Sequence, residues 1–594
     1  MKIKTKIKIC TFVLAALILT FCVNVDAIGY TYDHNSEPIY STEGLVVNQT
    51  PYIYSDMGLS DQSQLNNPSD LFVYEKEGSD SVVYLLNQST STSSTSSFYV
   101  LNSSLQMQQE VYKIEYAPAD FTDADLLAMK SNGSLIVNTS EDNTTLAADA
   151  AAQGYGFASV EDVRSFDVLY ITLNSATSVY RGVAENSIPA TDYIYVCDTG
   201  NNQILMLDSN SYSSDNNSYQ ARDVITSPTA ELMDVAFKPI KVINDAAGRV
   251  YTIANGVTDG IMEFSEEGTF DRYIGTNYIT LSAWDIFWRN FATEAQLEKY
   301  STLLNTTFTS MVYKDTMIYT TSYAITTGAT TDNTVMIKKI NPSASDVLRR
   351  NGYSVPMGDC QYIITSDDNG SYGPSQFVGI TVNDYGMYTV VDKNRGRLFT
   401  YDNEGNLLYI SGGSGIQTDK INSPVAVQYL GEKLLVLDSQ SHAILVFEPT
   451  EIASYINQAI ENEYNGRNDG EWIYEYDEVT GEVLSKTYEK GAYDYWVKVV
   501  ELNANYEYAY IGIGTHYKNL KDYKTAMYYY EKGADQSHYG KAYDEYRGAI
   551  IKVWFAPVVI TIVGLVVLKQ VVHGIKKRKR RKSGIIDEPG EEIA

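Results

Sequence analysis

A chain of 594 residues exceeds what one hydrophobic core usually organises, so two or more domains are expected. Its 44% hydrophobic and 20% charged content describes a globular chain and excludes a disordered one. The formal net charge of −29 is uneven: residues 1–27 carry +3, residues 553–594 carry +4, and the stretch between holds −36, which argues against nucleic acid as a partner.

The N-terminus opens with a basic run, MKIKTKIK, followed by apolar sequence from Ile9 to Val25. Val25-Asp26-Ala27 sets small residues at the −3 and −1 positions of a cut before Ile28, so residues 1–27 read as a signal peptide. The apolar run is long enough that an uncleaved anchor is the alternative. Cys22 would suit a lipidated N-terminus, but Phe21 before it is too bulky.

From about residue 40 the chain repeats itself. The clearest unit is DYIYVCDTGNNQILMLDSN at 192–210: a β-run ends in Asp198, a Gly-containing turn follows, and a second β-run returns. In such a hairpin the Asp caps turn amides and the Gly takes the φ > 0 position. The unit recurs with Asp392 in MYTVVDKNRGRLFTYDNEG and with Asp438 in KLLVLDSQSHAILVFEP, 46 residues apart. Weaker copies carry Asn255 after VYTIA and Asn87 after VVYLL, and the most degenerate spans 317–342. A shorter strand, often announced by Pro, precedes each copy, and six copies suit a closed ring.

The string YVCDTGNNQILMLD, with Pro, strand and Gly turn around it, resembles the NHL repeat. The match is close at 192–210 and good at 374–412 and 421–449. The resemblance covers roughly residues 40–450 and implies a six-bladed β-propeller over 28–450. Residues 28–66 are candidates to close the ring at a seam the sequence does not locate. Insertions at 121–129, 145–164 and 281–304 carry helical signals, and loops on one face of a propeller commonly carry function. Beyond the signal only Cys197 and Cys360 remain, too few for a disulfide framework; Cys197 sits in a strand pattern and reads as a small buried residue.

After Phe447 the apolar period becomes helical, first in EIASYINQAIENEY at 451–464. Residues 472–488 alternate around Thr480-Gly481 like a hairpin. Counted from Glu507, residues Tyr510, Ile513, Gly514, Tyr517, Ala526 and Tyr530 fall at positions 4, 7, 8, 11, 20 and 24. That pattern resembles a tetratricopeptide repeat, where small residues at 8 and 20 let two helices approach. His538 stands where the repeat has Pro, and Ala492 and Trp496 fit one repeat earlier. The resemblance implies a groove faced by Tyr508, Thr515, Lys518 and Asn519 that takes a peptide or protein segment; a mere stalk is the alternative. The 50 tyrosines admit carbohydrate stacking, though most sit in strand or helix patterns.

Val553 to Leu568 is apolar and, with snorkelling by Lys569, long enough for a span over 553–573. The run KKRKRRK at 576–582 follows. By the positive-inside rule the tail 574–594 is cytoplasmic and residues 28–552 are outside, which predicts a single-pass protein of the cell membrane.

The chemistry-bearing motifs are sparse. NHL-like propellers include calcium-dependent lactonases and metal-dependent lyases with ligands around a central channel, but five His in the whole chain cannot assemble a His-rich metal site. A calcium site from carboxylates and amides stays open. Asn87, Asp198, Asn255, Asp392 and Asp438 hold the repeat's turn position and read as structural, and no catalytic residue or resident cofactor is assigned. The expected architecture is an all-β six-bladed NHL-type propeller, then tetratricopeptide-like helical hairpins over 451–552, then one transmembrane helix. The expected function is a membrane-anchored binding or scaffold protein engaging a protein, peptide or carbohydrate, as the resemblance to anchored NHL–tetratricopeptide proteins near carbohydrate transport systems suggests. A calcium-dependent gluconolactonase-like hydrolase or metal-dependent lyase is the competing reading.

Overall fold

The computed structural model describes residues 28–582, apart from 60–64, 89–95, 127–134, 137–168, 186–189, 229–234, 276–306, 351–356, 360–372, 477–482 and a few shorter gaps. Residues 1–27, Cys360, the insertions at 145–164 and 281–304 and most of 121–129 lie outside the described residues. The chain divides into two compact units, one ending at Tyr464 and one beginning at Asn465.

The first unit is a ring of six antiparallel sheets. Blade 1 comprises Pro68–Tyr74, Val82–Asn87, Ser97–Leu101 and Met107–Val111. Blade 2 comprises Ser178–Ala184, Thr191–Asp198, Gln203–Asp208 and Ser218–Ile225. Blade 3 is Pro239–Asn244, Val250–Ala254, Ile261–Phe264 and Phe270–Ile274. Blade 4 has Phe308–Lys314, Met317–Ser322 and Ile337–Ile340. Blade 5 has Phe377–Val382, Tyr388–Asp392, Arg397–Tyr401 and Leu407–Gly412. Blade 6 has Pro424–Leu430, Lys433–Asp438 and Ala443–Pro449. The first-named strand of each blade is innermost and lies against the innermost strands on either side, with blade 6 returning to blade 1. The fold is a six-bladed propeller.

The seam lies in blade 6. Leu45–Val47 pairs antiparallel with Ala443–Pro449, Leu45 opposite Pro449 and Val47 opposite Phe447, so the N-terminal segment supplies the blade's outermost strand. Just before it, Ile28–Tyr32 and Pro38–Thr42 extend the outer edge of blade 5 through Tyr30 and Ile410. Blade edges are thereby paired rather than left as templates for another chain.

The core sits between blades. Leu71, Leu85 and Leu101 of blade 1 pack with Leu435, Leu437 and Val446 of blade 6, all within 2% of complete burial. Because both faces of the inner sheet are covered, the second strands read as continuous apolar runs such as VVYLL and KLLVL rather than alternating ones. Outer strands such as Met107–Val111 are half-exposed and correspondingly polar.

Four of the five turn residues make one contact in common. Asn87 Oδ1, Asp198 Oδ1, Asp392 Oδ1 and Asp438 Oδ2 each accept the backbone N–H that precedes their own blade's inner strand, from Asn67, Asn174, Gln376 and Ser423. Asp392 and Asp438 also accept the turn amides of Asn394 and of Gln440 and Ser441. Blade 3 corrects the expectation for Asn255. Pro239 pairs with Ala254, as Pro68 does with Asn87 and Pro424 with Asp438. Ala254 therefore occupies the position, and Asn255 lies one residue beyond it, exposed, its N–H donating to Lys238 O.

The helix Glu451–Tyr464 (α1) closes the first unit, so the division falls 14 residues later than the sequence pattern placed it. Ile452, Ala453, Ile456, Ala459 and Ile460 form its buried stripe. The second unit begins with the expected hairpin, Glu471–Tyr476 against Val483–Glu489. Four helices follow: α2 Ala492–Leu502, α3 Glu507–Asn519, α4 Tyr523–Lys532 and α5 Gln536–Lys582. In α3, Gly514 is where α4 comes close, since a Cβ there would stand 2.8 Å from Tyr530 Cδ1 and 3.3 Å from Ala526 O. Asp522 caps α4 by accepting Thr525 N–H at 3.2 Å. The 47 residues of α5 run about 70 Å at 1.5 Å per residue, and its apolar part is long enough to cross a membrane.

Candidate ligand site at the propeller mouth

Asp70, on the inner strand of blade 1 and 1% exposed, receives Lys241 Nζ from blade 3 at 2.6 Å and Val179 N–H from blade 2 at 3.1 Å. One carboxylate thus ties three blades together. Beyond it, on the side where the inner strands begin, a cavity of about 380 Å³ is lined by Ser69, Ile240, Thr309, Val378 and Val425, the second residues of five inner strands.

At the end where the inner strands finish, the channel widens into a cavity of about 740 Å³. That size accommodates an organic ligand. Tyr74, Tyr313, Tyr385 and Tyr429 bring half-buried rings to its wall. One ring is already used in this way: the Arg181 guanidinium lies 4.3 Å from the Tyr74 centroid, fixed by a fork to both carboxylate oxygens of Asp192 and by Tyr84 OH.

The α1 helix contributes Ser454, Asn457, Gln458 and Glu461 to the same wall. The spacing of three, one and three puts all four on one helical face, beside the apolar stripe that anchors the helix. Asn457 is held by Tyr409 OH at 2.9 Å, and Gln458 donates to Ser454 Oγ at 3.0 Å. Tyr385, whose ring meets Tyr464 edge-on, has its hydroxyl pKa raised by burial and by a hydrogen bond to Glu461.

Asn244 and Gly182 complete the wall on the side of blades 2 and 3. Asn244 is 2% exposed, its Nδ2 donates to Asp245 O, and its Oδ1 has no hydrogen-bond partner. That oxygen occupies the space a side chain at 182 would need, only 1.8 Å from where a Cβ would stand. Gly182 is therefore what admits the Asn244 amide to the cavity wall.

Asp198, at the turn of blade 2, has its own electrostatic surroundings. It is fully buried, takes hydrogen bonds from Asn201 Nδ2 at 2.7 Å and Gln203 Nε2 at 2.8 Å, and burial without a cation pushes its pKa up to about 7. Asp392 instead has Arg395 at 3.2 Å. Cys197, beside Asp198, is a buried free thiol whose pKa burial raises, which suits packing rather than reactivity.

The residues expected along a helical groove have separate surroundings. Thr515 turns to α4, donating to Ile511 O at 3.0 Å with Tyr530 OH 3.3 Å away. Tyr508 stands edge-on to Trp496 of α2, with centroids 5.5 Å apart. Lys518 and Asn519 form the last turn of α3, the asparagine exposed. Within the propeller, among the described residues, no three His, Cys, Asp or Glu ligand atoms gather within 4.8 Å. Asp70, Lys241, Gly182 and Asn244 stand out in no local sequence pattern. The polar stripe of α1 was readable in the spacing of SYINQAIE.

No family model matches the chain, and no curated protein does. Among solved structures it is similar to a streptogramin B lyase at 14% identity over 44% of this chain and 66% of that one, with a TM-score of 0.23. It is similar to virginiamycin B lyase from Staphylococcus aureus at 11% identity, covering 68% and 88%, with a TM-score of 0.29. A PQQ-bound aldose sugar dehydrogenase from Streptomyces coelicolor matches at 9%, covering 69% and 98%, with a TM-score of 0.34. None of these transfers an activity to this chain; the propeller assignment stands on its own blades.

Proposed function

We propose that the protein is a membrane-anchored receptor-like ectodomain whose propeller binds a ligand in the cavity beneath α1. The observation that carries this reading is the 740 Å³ cavity on the ring axis, walled by tyrosines and faced by a helix that turns four polar side chains toward it. Half-buried aromatic faces and amide groups recognise organic molecules without needing a reactive group. In this reading residues 1–27 direct export, α5 spans the membrane over 553–573 with the basic tail 574–594 in the cytoplasm, and the propeller is extracytoplasmic. The helices over 492–532 are tetratricopeptide-like and offer a protein partner its surface, next to a hairpin that leaves Trp472 and Tyr488 exposed. The blades are of NHL type, and the ligand's transport system is a natural partner.

The competing calcium-dependent hydrolase or lyase would need oxygen ligands converging in the channel. Within the propeller, among the described residues, no three carboxylate, His or Cys ligand atoms gather within 4.8 Å, and buried Asp70 is already bound by Lys241. The test is thermal unfolding of the full chain in detergent micelles, first with EDTA and then with calcium, zinc or manganese. The receptor reading predicts an unchanged midpoint. A calcium-dependent rise would favour the hydrolase, since a ligand of the folded state at a hundredfold excess over Kd stabilises by about 2.7 kcal/mol.

A further inference from the structure

The turn after each inner strand carries a carboxylate at nearly the same place. Glu75, Glu185, Asp245 and Asp315 each directly follow the inner strands of blades 1 to 4, and Asp384 and Glu432 stand two residues past those of blades 5 and 6. In a propeller such a recurrence becomes a ring around one mouth of the channel. Five of the six line the 740 Å³ cavity, and Glu461 of α1 joins them. Asp245 is turned aside to Arg249 and Tyr251.

The ring is not neutralised from within. Lys314 is paired with Asp384, and Arg181 is held by Asp192. That leaves Lys76 as the one other cation in the lining, against Glu75, Glu185, Asp315, Glu432 and Glu461, which have no ion pair among the described residues. A concave wall of one sign concentrates counter-charge. Independently, the buried Asn244 Oδ1 in the cavity wall is an acceptor without a donor. That oxygen lies against Gly182, and because a buried unpaired acceptor is costly, a donor that reaches it from the cavity once the amide turns would relieve it. Tyr74, already stacked by a guanidinium, shows that the aromatic wall accepts a cation over its rings.

Taking the cavity as the ligand site, as proposed above, we infer that its ligand is an organic cation bearing ammonium or guanidinium groups. These groups donate hydrogen bonds only, matching a wall of carboxylates, an orphan carbonyl and aromatic faces. The cation is either a free amine or the side chain of a basic peptide.

Isothermal titration of the full chain in micelles tests this with spermidine, tri-lysine amide and neutral maltotriose at physiological salt. The expected result is binding of spermidine or tri-lysine amide, weakened about tenfold or more in Glu75→Gln/Glu432→Gln/Glu461→Gln and unchanged in Glu531→Gln of α4. Spermidine binding points to a free amine, and binding of tri-lysine amide alone points to a peptide. Cation binding that the triple variant leaves intact would overturn the inference, because the charge would then come from elsewhere on an acidic surface. Maltotriose binding without cation binding would overturn it while leaving the cavity as the ligand site. Binding of none of the three would count against both.

Discussion

Asp70 and Lys241 are 171 residues apart in sequence and 2.6 Å apart in space, and their ion pair ties blade 1 to blade 3. Removing one partner strands a buried charge, which costs about 3–5 kcal/mol in such settings. Lys241→Met is therefore expected to destabilise the propeller by that amount. Asp70→Leu/Lys241→Met together should recover much of the loss, because neither charge remains. Equilibrium unfolding in urea of the full chain in micelles measures both.

Asp198 makes stability depend on pH. Its folded pKa of about 7 lies above the ordinary carboxylate value, so the folded state holds a proton that the unfolded state releases. The contribution is fully present below about pH 4 and is lost as pH rises to about 7, at up to about 1.4 kcal/mol per pH unit. Asp198→Asn should flatten this slope while keeping the acceptor for Asn174 N–H, as Asn87 does in blade 1. Unfolding midpoints of both proteins from pH 4 to 8 decide it; parallel curves would contradict the assignment.

Gly182 and Asn244 share one space. Gly182→Ala puts a methyl on Asn244 Oδ1 and must drive the amide from its place, at a cost of about 1–3 kcal/mol. Ligand affinity in the upper cavity should fall with it, whereas Gly256→Ala, in an open turn of blade 3, should leave affinity unchanged. A titration comparing the two variants separates wall geometry from general destabilisation.

In the second unit, Gly514→Leu should separate α3 from α4, because Tyr530 and the Ala526 carbonyl leave no room for a side chain there. Loss of helical circular dichroism on heating at a lower midpoint, with the propeller's transition unmoved, is the expected signature.

How much was legible follows from where the information lies along the chain. Asp198, Asp392 and Asp438 each sit between two β-runs of one hairpin, so the local pattern announced the hairpin, although the φ > 0 position falls on Gly396 only in blade 5 and on Asn202 and His442 in blades 2 and 6. Asn255 misled by one residue because the longer turn of blade 3 shifts the register, and only the pairing of Pro239 with Ala254 reveals it. The seam at Leu45–Val47 pairs residues some 400 positions apart, for which a local pattern holds no signal. The same is true of Asp70 with Lys241 and of Gly182 with Asn244. The acids of the mouth were visible one by one, as ordinary turn residues. Only closure of the ring makes them neighbours.

The central claim is that the cavity under α1 is where the ligand binds. The most direct measurement is a thermal-shift screen of the full chain against amines, saccharides and divalent metals, run in parallel on Gln458→Trp, whose indole fills the cavity from α1. The account predicts that an organic ligand raises the wild-type midpoint and leaves that of Gln458→Trp where it was. Equal shifts in both proteins, or stabilisation by metal ions alone, would contradict it.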